Sequence, residues 1–502
     1  MTVAVVGSGA MGRGIAQVLA EGGARVLVSD ARVGAAADAV AFVRGMLARA
    51  EEKGRMTAEA AASASAALVE VGPGPDAVRG ADIVIEAVVE DLAVKRALFA
   101  EIEAVVADDA LLATNTSSLS VTAIASALRR PERVVGLHFF NPVPLMRLVE
   151  VVAGERTSAA ALHRAHDVVA RTGHRAVQVR DTPGFLVNHA GRAYSTEALR
   201  LLDEGVAASA DVDRVLRDAA GFRMGPFELF DLTGLDVSHP AMEAIWSGFY
   251  ADPRLRPSPT AARRVAAARL GRKTGEGFYA YDGTAPRVPD EPAAPAYDGG
   301  PVWVSRAEPD GERLAGLLRE GGVSVEAGPS PGADAVVIVT PWGHDVTSAV
   351  VDHGLPPART VGVDPFGSFA GRLTLAPTPA TRSEALTRAH GALAATGLPV
   401  TVVEDSPGFV AQRVVACVVN LACEIAQLRI AAPGDVDAAV RLGLGYPRGP
   451  LSWGDELGPS RVLRVLAGLV RATGDPRYRP SVWLRRRADL GLSLLHEGHV
   501  VH

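Results

Sequence analysis

A histidine and a glutamate in the first third of the chain have the spacing of a proton-transfer pair. His138 ends an apolar strand, Val134–Leu137, and a turn containing Asn-Pro-Val-Pro follows. Glu150 lies in a second apolar strand that begins near Leu148. A turn of this length can fold back and bring Glu150 to His138. A carboxylate that fixes the tautomer of an imidazole and favours its charged form prepares it to move a proton near neutral pH. The alternative is an ordinary strand-end histidine beside a surface glutamate.

The N-terminal residues have the pattern strand, glycine turn, helix, strand, acid. A strand at Thr2–Val6 runs into the glycine turn, and a second strand, Arg25–Ser29, ends in Asp30. The first glycine of such a turn allows a tight bend, the second lets a pyrophosphate approach, and the third lets helix and strand pack closely. Asp30 stands where a carboxylate binds ribose hydroxyls, so the sequence favours NAD as the cofactor. Arg32, two residues later, leaves NADP as an alternative. The turn consists of Gly7, Ser8, Gly9, Ala10, Met11 and Gly12.

Length and composition exclude several classes of protein. A chain of 502 residues is too long for one core, and its net charge of −6 gives no basic surface for nucleic acid. We see no signal peptide and no apolar run that approaches a membrane span, so we expect a cytoplasmic protein. The two cysteines, Cys417 and Cys423, are expected to be buried in a reducing compartment. Metal-ligand spacing of Cys and His is absent, so no metal is expected.

Lysine is rare in this chain, which suggests a particular use for it. Of the 51 basic residues only Lys53, Lys95 and Lys273 are lysines, and all the others are arginines. We therefore expect these three positions to require the compact ammonium group of lysine. The alternative is codon drift that left three lysines by accident.

The predicted fold class is an α/β Rossmann-type NAD-binding domain plus an all-α domain, followed by a degenerate second copy of both. Residues 1–182 alternate strands and helices, with a helical insertion at about 33–68, and residues 183–283 read as all-helical. A Pro-rich linker is predicted at 284–300. A degenerate Rossmann-like domain at 301–404 and a second helical domain at 405–502 complete the prediction.

The second half of the chain repeats motifs of the first. Asp181-Thr-Pro-Gly-Phe185 recurs as Asp405-Ser-Pro-Gly-Phe409, 224 residues later (405 − 181), and other motifs share that offset. The offset is larger upstream: Glu21-Gly-Gly23 matches Glu320-Gly-Gly322, 299 residues later (320 − 21). The second copy has therefore lost residues in two places, one near the helical insertion.

The second copy has also lost the residues that do chemistry in the first. It has no glycine turn near its first strand, Asp364 stands where the first copy has His138, and Thr374 matches Glu150. We therefore expect one active site per chain, in the first half, with the second half as scaffold, substrate wall or internal dimer partner.

Together these motifs resemble the 3-hydroxyacyl-CoA dehydrogenase family. The resemblance covers residues 1–282 almost continuously, and the duplicated length is similar to bacterial forms, several associated with phenylacetate or related aromatic-acid breakdown. The motifs that carry it are the glycine turn, Asn115-Thr-Ser-Ser118, His138-Phe-Phe-Asn-Pro142, Asp181-Thr-Pro-Gly-Phe185 with Asn188, Met224-Gly-Pro-Phe227 and Lys273-Thr-Gly-Glu-Gly-Phe278.

The resemblance implies a catalytic role for four residues. His138 would remove the 3-hydroxyl proton as hydride leaves C3, Glu150 would orient it, and Ser117 and Asn188 would polarise the reacting oxygens. Two of the four also fit an ordinary structural role, since Asn188 could cap the helix that follows Pro183-Gly184 and Ser117 could be a simple turn hydroxyl.

The resemblance also implies which residues meet the cofactor NAD and coenzyme A. Lys53, assisted by Arg55, would meet the coenzyme A phosphates, and Ser117 would contact both cofactor and substrate. Glu90 and Lys95 could instead be an ordinary solvated helical face. Besides the turn from Gly7 to Gly12, the cofactor residues would be Asp30, Glu90, Lys95, Asn115, Ser117, Asn141 and Lys273.

The expected activity is NAD-dependent oxidation of (S)-3-hydroxyacyl-CoA to 3-oxoacyl-CoA, as in fatty-acid β-oxidation, on short-chain or dicarboxylic (3-hydroxyadipyl-type) substrates. One alternative is a non-catalytic NAD(H)-binding protein of the same fold. Another is a different β-hydroxyacid dehydrogenase, but that class uses a lysine that is absent between Lys95 and Lys273. Two helical copies in one chain predict an intrachain pseudo-dimer, with further association of whole chains left open.

Overall fold

The computed structural model describes residues 1–498. The chain packs as two compact units, one of Met1–His189 with Leu428–Leu444 and the other of Ala190–Gln427 with the described residues from Gly445 onward. The last four residues of the predicted second helical domain lie outside the described residues.

The first unit is built on an eight-stranded sheet. Its strands lie side by side in the order β3-β2-β1-β4-β5-β6-β7-β8 and are parallel except where β6 meets β7. The central strands are short apolar runs buried on both faces, as expected of a parallel sheet covered by helices. The strands are β1 (Thr2–Val6), β2 (Arg25–Ser29), β3 (Leu68–Glu70), β4 (Ile83–Glu86), β5 (Leu111–Thr114), β6 (Val134–Phe139), β7 (Leu148–Ala153) and β8 (Arg175–Arg180).

Helices cover this sheet, and several of them begin at a residue whose side chain caps the first turn. Thr57, Asp91 and Ser158 each accept a hydrogen bond from a backbone N–H of the helix that follows, which satisfies an otherwise unpaired donor. The second and third helices occupy the region of the predicted helical insertion. The helices are α1 (Ala10–Glu21), α2 (Ala35–Glu52), α3 (Ala58–Ala67), α4 (Leu92–Glu103), α5 (Val121–Ala125), α6 (Ala159–Arg171) and α7 (Val187–Ala190).

The second unit combines a smaller sheet with most of the remaining helices. A short hairpin, β9 (Ala280–Asp282) and β10 (Ala285–Arg287), lies at the junction of the predicted helical domain and the predicted linker. The helices are α8 (Arg192–Asp203), α9 (Ser209–Asp218), α10 (Pro226–Thr233), α11 (Leu235–Gly248), α12 (Pro259–Ala266), α13 (Asp310–Glu320), α14 (Val346–His353), α15 (Ser383–Ala394), α16 (Ala411–Gln427), α17 (Pro433–Leu444, in the first unit), α18 (Pro450–Leu457), α19 (Pro459–Thr473) and α20 (Val482–Leu490).

The smaller sheet is a reduced version of the first. Its five strands lie in chain order and are parallel except for β13 against β14, which repeats the antiparallel step between β6 and β7. Among the described residues it lacks counterparts of β3 and β5, which accounts for the two losses of length deduced from the repeat, and β2 is reduced to a single parallel bridge between Val302 and Val325. The strands are β11 (Val302–Val304), β12 (Val336–Val339), β13 (Thr360–Val363), β14 (Leu373–Pro377) and β15 (Val400–Val402).

Each sheet packs against a helical segment from the other repeat. In the first unit the backbone N–H of Arg180 donates to the carbonyl of Ile430 at 2.9 Å. In the second unit Glu404 donates in the same way to Val206, also at 2.9 Å. Glu404 is the repeat of Arg180 and Ile430 is the repeat of Val206 (404 − 180 and 430 − 206 both give 224). The two copies thus exchange equivalent segments, which the sequence had not indicated.

None of the helices in residues 1–498 combines the length and the apolar character that crossing a membrane requires.

Candidate active site

The glycine turn after β1 has a steric reason for two of its glycines. Gly7 has a φ of +100°, and a Cβ added there would lie 2.5 Å from the carbonyl oxygen of Ala87. A Cβ added to Gly12, in the first turn of α1, would lie 1.8 Å from the carbonyl oxygen of Gly7. A larger residue at Gly7 would push the turn away from the loop after β4, and one at Gly12 would push α1 away from the turn.

Gly9, between them, faces open space. A Cβ added to Gly9 would meet no atom within 4 Å, and α1 carries no acidic residue in its first turn. The turn borders a cleft of about 700 Å³ that extends from the end of β1 past Asp30 to Pro75 and α4. Backbone N–H groups at an uncluttered helix N-terminus attract phosphate, so the turn and the cleft fit a dinucleotide. Ser8, Ala10 and Met11 also line this cleft.

Asp30 ties the end of β2 to the glycine turn. One carboxylate oxygen accepts the Ser8 backbone N–H at 2.8 Å and its hydroxyl at 2.7 Å, and the other accepts the Arg32 N–H at 2.9 Å. Burial raises the pKa of Asp30, but these hydrogen bonds outweigh it and hold the pKa below its ordinary value. Asp30 is therefore a fixed anion at the edge of the cleft.

Glu90 holds the Asn115–Ser118 turn. One oxygen accepts the Thr116 hydroxyl at 2.6 Å, the backbone N–H groups of Ser117 and Ser118 at 3.0 and 3.1 Å, and the Ser118 hydroxyl at 2.9 Å. Burial raises the pKa of Glu90, but the Thr116 hydroxyl, the Lys95 ammonium and the other donors bring it below its ordinary value. Ser117 itself is exposed on this turn.

Lys95 is buried beneath the same turn instead of lying on a solvated helical face. Its side chain is 1% exposed, and Nζ lies 2.6 Å from Glu86 and 3.3 Å from Glu90. Glu86, which the motifs of the sequence did not single out, is fully buried and also accepts hydrogen bonds from the Thr114 hydroxyl and the Val88 N–H. The only feature of the sequence that points to Glu86 is that this acidic residue ends an apolar strand of the parallel sheet.

His138 and Glu150 face each other across the antiparallel strands β6 and β7. They are directly paired in the register, and Nδ1 of His138 lies 2.5 Å from a carboxylate oxygen of Glu150. The other oxygen of Glu150 accepts the backbone N–H groups of Leu186 and Val187 at 2.9 and 2.8 Å. Glu150 is fully buried, so its position is fixed by these contacts. The predicted return of the chain to His138 is therefore a strand pairing.

Three further residues lie close to this pair in the fold. The Asn115 side-chain oxygen accepts the backbone N–H of Phe139, which joins the end of β5 to the end of β6 at 2.9 Å. Asn141 is exposed at the start of the turn between β6 and β7. Asn188 is partly buried in α7, directly after Val187.

The remaining predicted site residues, Lys53, Arg55 and Lys273, are distant in sequence from His138 and Glu150. Lys53 and Arg55 are exposed in the turn between α2 and α3. Lys273 belongs to the second unit, where Nζ lies 2.5 Å from Asp236 and the side chain is half-exposed. The contact with Lys273 lowers the pKa of Asp236 below its ordinary value.

The second copy has a different arrangement at the position of the pair. Asp364 replaces the histidine, and one of its oxygens accepts the Gln412 amide at 2.8 Å and the Phe366 N–H at 2.9 Å. Gln412 stands at the repeat position of Asn188. A carboxyl has thus taken the place of the imidazole, so the paired histidine and glutamate belong to the first copy.

Comparisons with known proteins agree with the motifs. The model of the 3-hydroxyacyl-CoA dehydrogenase NAD binding domain matches residues 2–182, and that of the C-terminal domain matches residues 184–281 and again 408–498. The 3-hydroxyadipyl-CoA dehydrogenase of Escherichia coli K12 is 37% identical over 490 residues, which are 97% of this chain and 98% of that protein. The mitochondrial hydroxyacyl-coenzyme A dehydrogenase of Sus scrofa is 39% identical over 284 residues, 56% of this chain and 90% of that protein.

A solved structure extends the likeness to the whole chain. The crystal structure of a 3-hydroxybutyryl-CoA dehydrogenase from Escherichia coli K12 has a TM-score of 0.86 at 37% identity and covers 98% of both chains. The predicted fold class, including the repeated C-terminal domain, is thereby confirmed. The chain belongs to the 3-hydroxyacyl-CoA dehydrogenase family of NAD-dependent enzymes.

Proposed function

We propose that His138 is the general base in the oxidation of an (S)-3-hydroxyacyl-CoA, and that Glu150 is its positioning partner. The observation that carries this proposal is the 2.5 Å contact between Nδ1 of His138 and Glu150. An ionised carboxylate only accepts hydrogen bonds, so the contact assigns the ring proton to Nδ1 and leaves the lone pair on Nε2.

His138 and Glu150 then have separate roles in the transfer of the proton. Nε2 of His138 takes the proton of the 3-hydroxyl, and Glu150 stabilises the imidazolium that results. Bound NAD supplies the hydride acceptor for C3. Ser117 and Asn188 are proposed to hold the reacting oxygen, since both occur in elements anchored next to the pair, the turn held by Glu90 and the helix that donates to Glu150.

The proposed cofactor residues are those that border the cleft or hold its walls. The Gly7–Gly12 turn would take the pyrophosphate and Asp30 the ribose hydroxyls. Glu90, Lys95 and Asn115 would act by fixing the turn that carries Ser117, since their polar groups are engaged with protein atoms. Asn141 and Lys273 are assigned to the cofactor only by the family resemblance.

The experiment that tests the base is NADH consumption with acetoacetyl-CoA, with wild type compared with His138→Gln. We expect the variant to lose turnover by about 10³-fold while it still binds NADH. His163→Gln, an exposed histidine on α6, is the matched control and should keep wild-type turnover. Wild type that binds NADH but turns over neither acetoacetyl-CoA nor 3-oxoadipyl-CoA would favour the non-catalytic alternative.

We also propose that the substrate is a dicarboxylic acyl-CoA of the 3-hydroxyadipyl type. The support is the Escherichia coli relative of that name, which matches over 97% of this chain, while the matching crystal structure is named for 3-hydroxybutyryl-CoA. The ratio of kcat/KM for 3-oxoadipyl-CoA and acetoacetyl-CoA decides between them. A preference of about tenfold for 3-oxoadipyl-CoA is expected, and the reverse preference would assign the short-chain substrate.

Lys53 and Arg55 are proposed to bind the phosphates of coenzyme A. Both are exposed and carry charge in the turn after α2, where a phosphate can reach them. Lys53→Ala should raise KM for acetoacetyl-CoA about five- to tenfold with little change in kcat, because a charged contact is lost equally from ground and transition states. Arg79→Ala, which removes an exposed cation paired with Asp76, is the control.

The helical domains are proposed to form a pseudo-dimer within one chain. The support is a direct contact between the two helical domains, in which the buried Arg413 guanidinium of the second pairs with Glu197 of the first. The two reciprocal backbone hydrogen bonds between the copies agree with it, because equal contacts in both directions are expected of a twofold arrangement. A cytoplasmic location, in which the thiols of Cys417 and Cys423 stay reduced, is also proposed and is tested by cell fractionation.

A further inference from the structure

The second copy keeps a cavity at the place where the first copy has its nucleotide cleft. It lies at the carboxyl ends of β11 and β12, the strands that correspond to β1 and β4, and has a volume of about 180 Å³. Next to it is a wider cavity of about 590 Å³, which shares Ser305, Ala307 and His353 with it. Parallel strands leave a crevice at this edge, which is where α/β folds bind ligands.

One wall of the inner cavity carries a buried hydroxyl that has no partner. Thr340 directly follows β12 and is 2% exposed, and its Oγ1 makes no hydrogen bond within residues 1–498. A buried hydroxyl without a partner is costly, so it implies a ligand atom or an ordered water in the cavity. Ser305, on the opposite loop after β11, brings a second hydroxyl to the same cavity.

The loop after β11 is unsuited to a phosphate. Gly311 keeps the close packing of Gly12, since a Cβ added there would lie 1.9 Å from the carbonyl oxygen of Ser305. The residues before it differ, because Pro309 lacks a backbone N–H and Glu308 and Asp310 bring two carboxylates to the start of α13. An anion at this helix N-terminus would lose a donor and meet two negative charges.

The other walls suit a flat, uncharged molecule. The wider cavity is bordered by the Trp303 indole and by three proline rings, at residues 329, 331 and 356. Arg306 also borders it, and its guanidinium is paired with the Glu312 carboxylate at 2.9 Å. His344 lines the inner cavity, and burial together with the nearby Arg471 guanidinium lowers the pKa of this histidine despite Asp352. A neutral imidazole there accepts from the Arg471 guanidinium at 3.1 Å, which leaves its N–H as a donor.

We propose that the second copy binds an uncharged heteroaromatic ligand, a nucleobase or nucleoside without phosphate. Its polar edge would bond to the hydroxyls of Thr340 and Ser305, and its ring would pack between Trp303 and the prolines. The degenerate copy would then be a binding module that kept the nucleoside half of the ancestral site and lost the phosphate half.

Adenosine is the probe, titrated by calorimetry into the full-length protein saturated with NADH so that the first cleft is filled. We expect a single adenosine site per chain and an affinity for AMP about tenfold weaker, because the phosphate meets Glu308 and Asp310. No heat with adenosine would overturn the proposal and leave ordered water in the cavity. Equal affinity for AMP would overturn the assignment of an uncharged ligand.

Two variants assign the binding to this cavity. Thr340→Val keeps the shape and removes the hydroxyl, and it should weaken adenosine binding about tenfold. Ala349→Leu, on the α14 wall, fills the inner cavity and should have at least as large an effect. Thr387→Val, on the exposed face of α15, is the control. Binding that survives both cavity variants would show that adenosine occupies another place, and turnover with acetoacetyl-CoA should be unchanged throughout.

Discussion

The two oxygens of Glu150 have separate partners, and this division determines what a substitution would do. One oxygen faces His138, and the other accepts two backbone N–H groups from the start of α7. The backbone donors hold the carboxylate in place whether or not the histidine is protonated. In the proposed mechanism Glu150 therefore orients the imidazole from a fixed position, as the carboxylate of a catalytic triad does.

Glu150→Gln should lower kcat by about 10³-fold while NADH binding is retained. The glutamine oxygen can still accept from Leu186 and Val187, which directs its N–H₂ group at Nδ1 of His138 and reverses the tautomer, as in the comparable aspartate-to-asparagine change of a triad. Steady-state kinetics with acetoacetyl-CoA and fluorescence titration of NADH measure the two effects. Glu155→Gln, which changes an exposed carboxylate just after β7, is the control, and a kcat for Glu150→Gln within about threefold of wild type would contradict the role of Glu150.

Single residues were predictable from the sequence where a motif fixed both type and spacing. His138, Glu150 and the glycine turn belong to such motifs, and the structure brings the first two into contact. Glu86 was overlooked because its three partners come from a strand, a loop and a helix, a convergence that only the folded sheet creates. For the same reason Lys95 could not be recognised as buried from its helical spacing.

At the scale of elements, the first βαβ unit depends on how closely α1 approaches the turn before it. Gly12→Ala should destabilise the protein by about 1–3 kcal/mol, since the added methyl would lie 1.8 Å from the carbonyl oxygen of Gly7. Gly9→Ala is the matched variant, with no atom within 4 Å of its new methyl, so its stability should equal that of wild type.

The same pair of variants separates folding from cofactor binding. Gly9→Ala should weaken NADH binding about tenfold or more, because its methyl would stand in the cleft where the pyrophosphate is proposed to lie. Urea unfolding without cofactor and NADH fluorescence titration give the two readouts. Equal NADH affinity in Gly9→Ala and wild type would contradict the proposed position of the pyrophosphate.

Seven of the eight strands of the first sheet could be predicted because each is a short apolar run beside a turn signal. The strand β3 was not predicted, because the region up to about residue 68 was interpreted as the helical insertion. The order of the predicted elements and the antiparallel step at Glu150 follow from the same pattern. The packing of α17 against the first sheet could not be predicted, because its sequence periodicity shows an apolar face but not which sheet will cover it.

For the whole molecule, the degenerate copy leaves a buried carboxyl that makes stability depend on pH. Burial raises the pKa of Asp364 to about 6, although Gln412 and the Phe366 N–H oppose the shift, and its second oxygen has no partner within residues 1–498. Because the pKa of Asp364 is higher in the folded state, its protonated form contributes to the free energy of unfolding. This contribution is complete below the unfolded-state pKa of 3.8 and is lost as the pH rises through about 6.

Asp364→Asn should therefore be more stable than wild type at pH 8, by about 1–3 kcal/mol, and the advantage should shrink towards pH 4. The asparagine oxygen can still accept from Gln412 and Phe366, so the change removes mainly the buried charge. Urea unfolding at several pH values measures it. Asp334→Asn, an exposed carboxyl in the same copy, is the control, and a difference independent of pH would refute the role of the buried charge.

The exchange of segments between the two copies predicts how the first copy behaves alone. A fragment of residues 1–283 lacks the segment 428–444, which packs in the first unit and accepts the Arg180 N–H through Ile430. It retains the repeat of that segment, with Val206 at the position of Ile430. Two fragments can therefore supply each other, with Arg180 of one donating to Val206 of the other, at the geometry that Glu404 and Val206 have in the intact chain.

We expect the 1–283 fragment to be a dimer by size-exclusion chromatography with light scattering. Its thermal unfolding temperature should rise with protein concentration, because folding and association are then linked. Val206→Pro removes the hydrogen bond from the Val206 N–H to Leu201 and restricts the backbone that presents the carbonyl, so this variant should weaken the fragment dimer. Val33→Pro, at an exposed turn position of the same fragment, is the control. A fragment that is folded and monomeric at all concentrations would contradict the pseudo-dimer, since its sheet would then need no segment from a second copy.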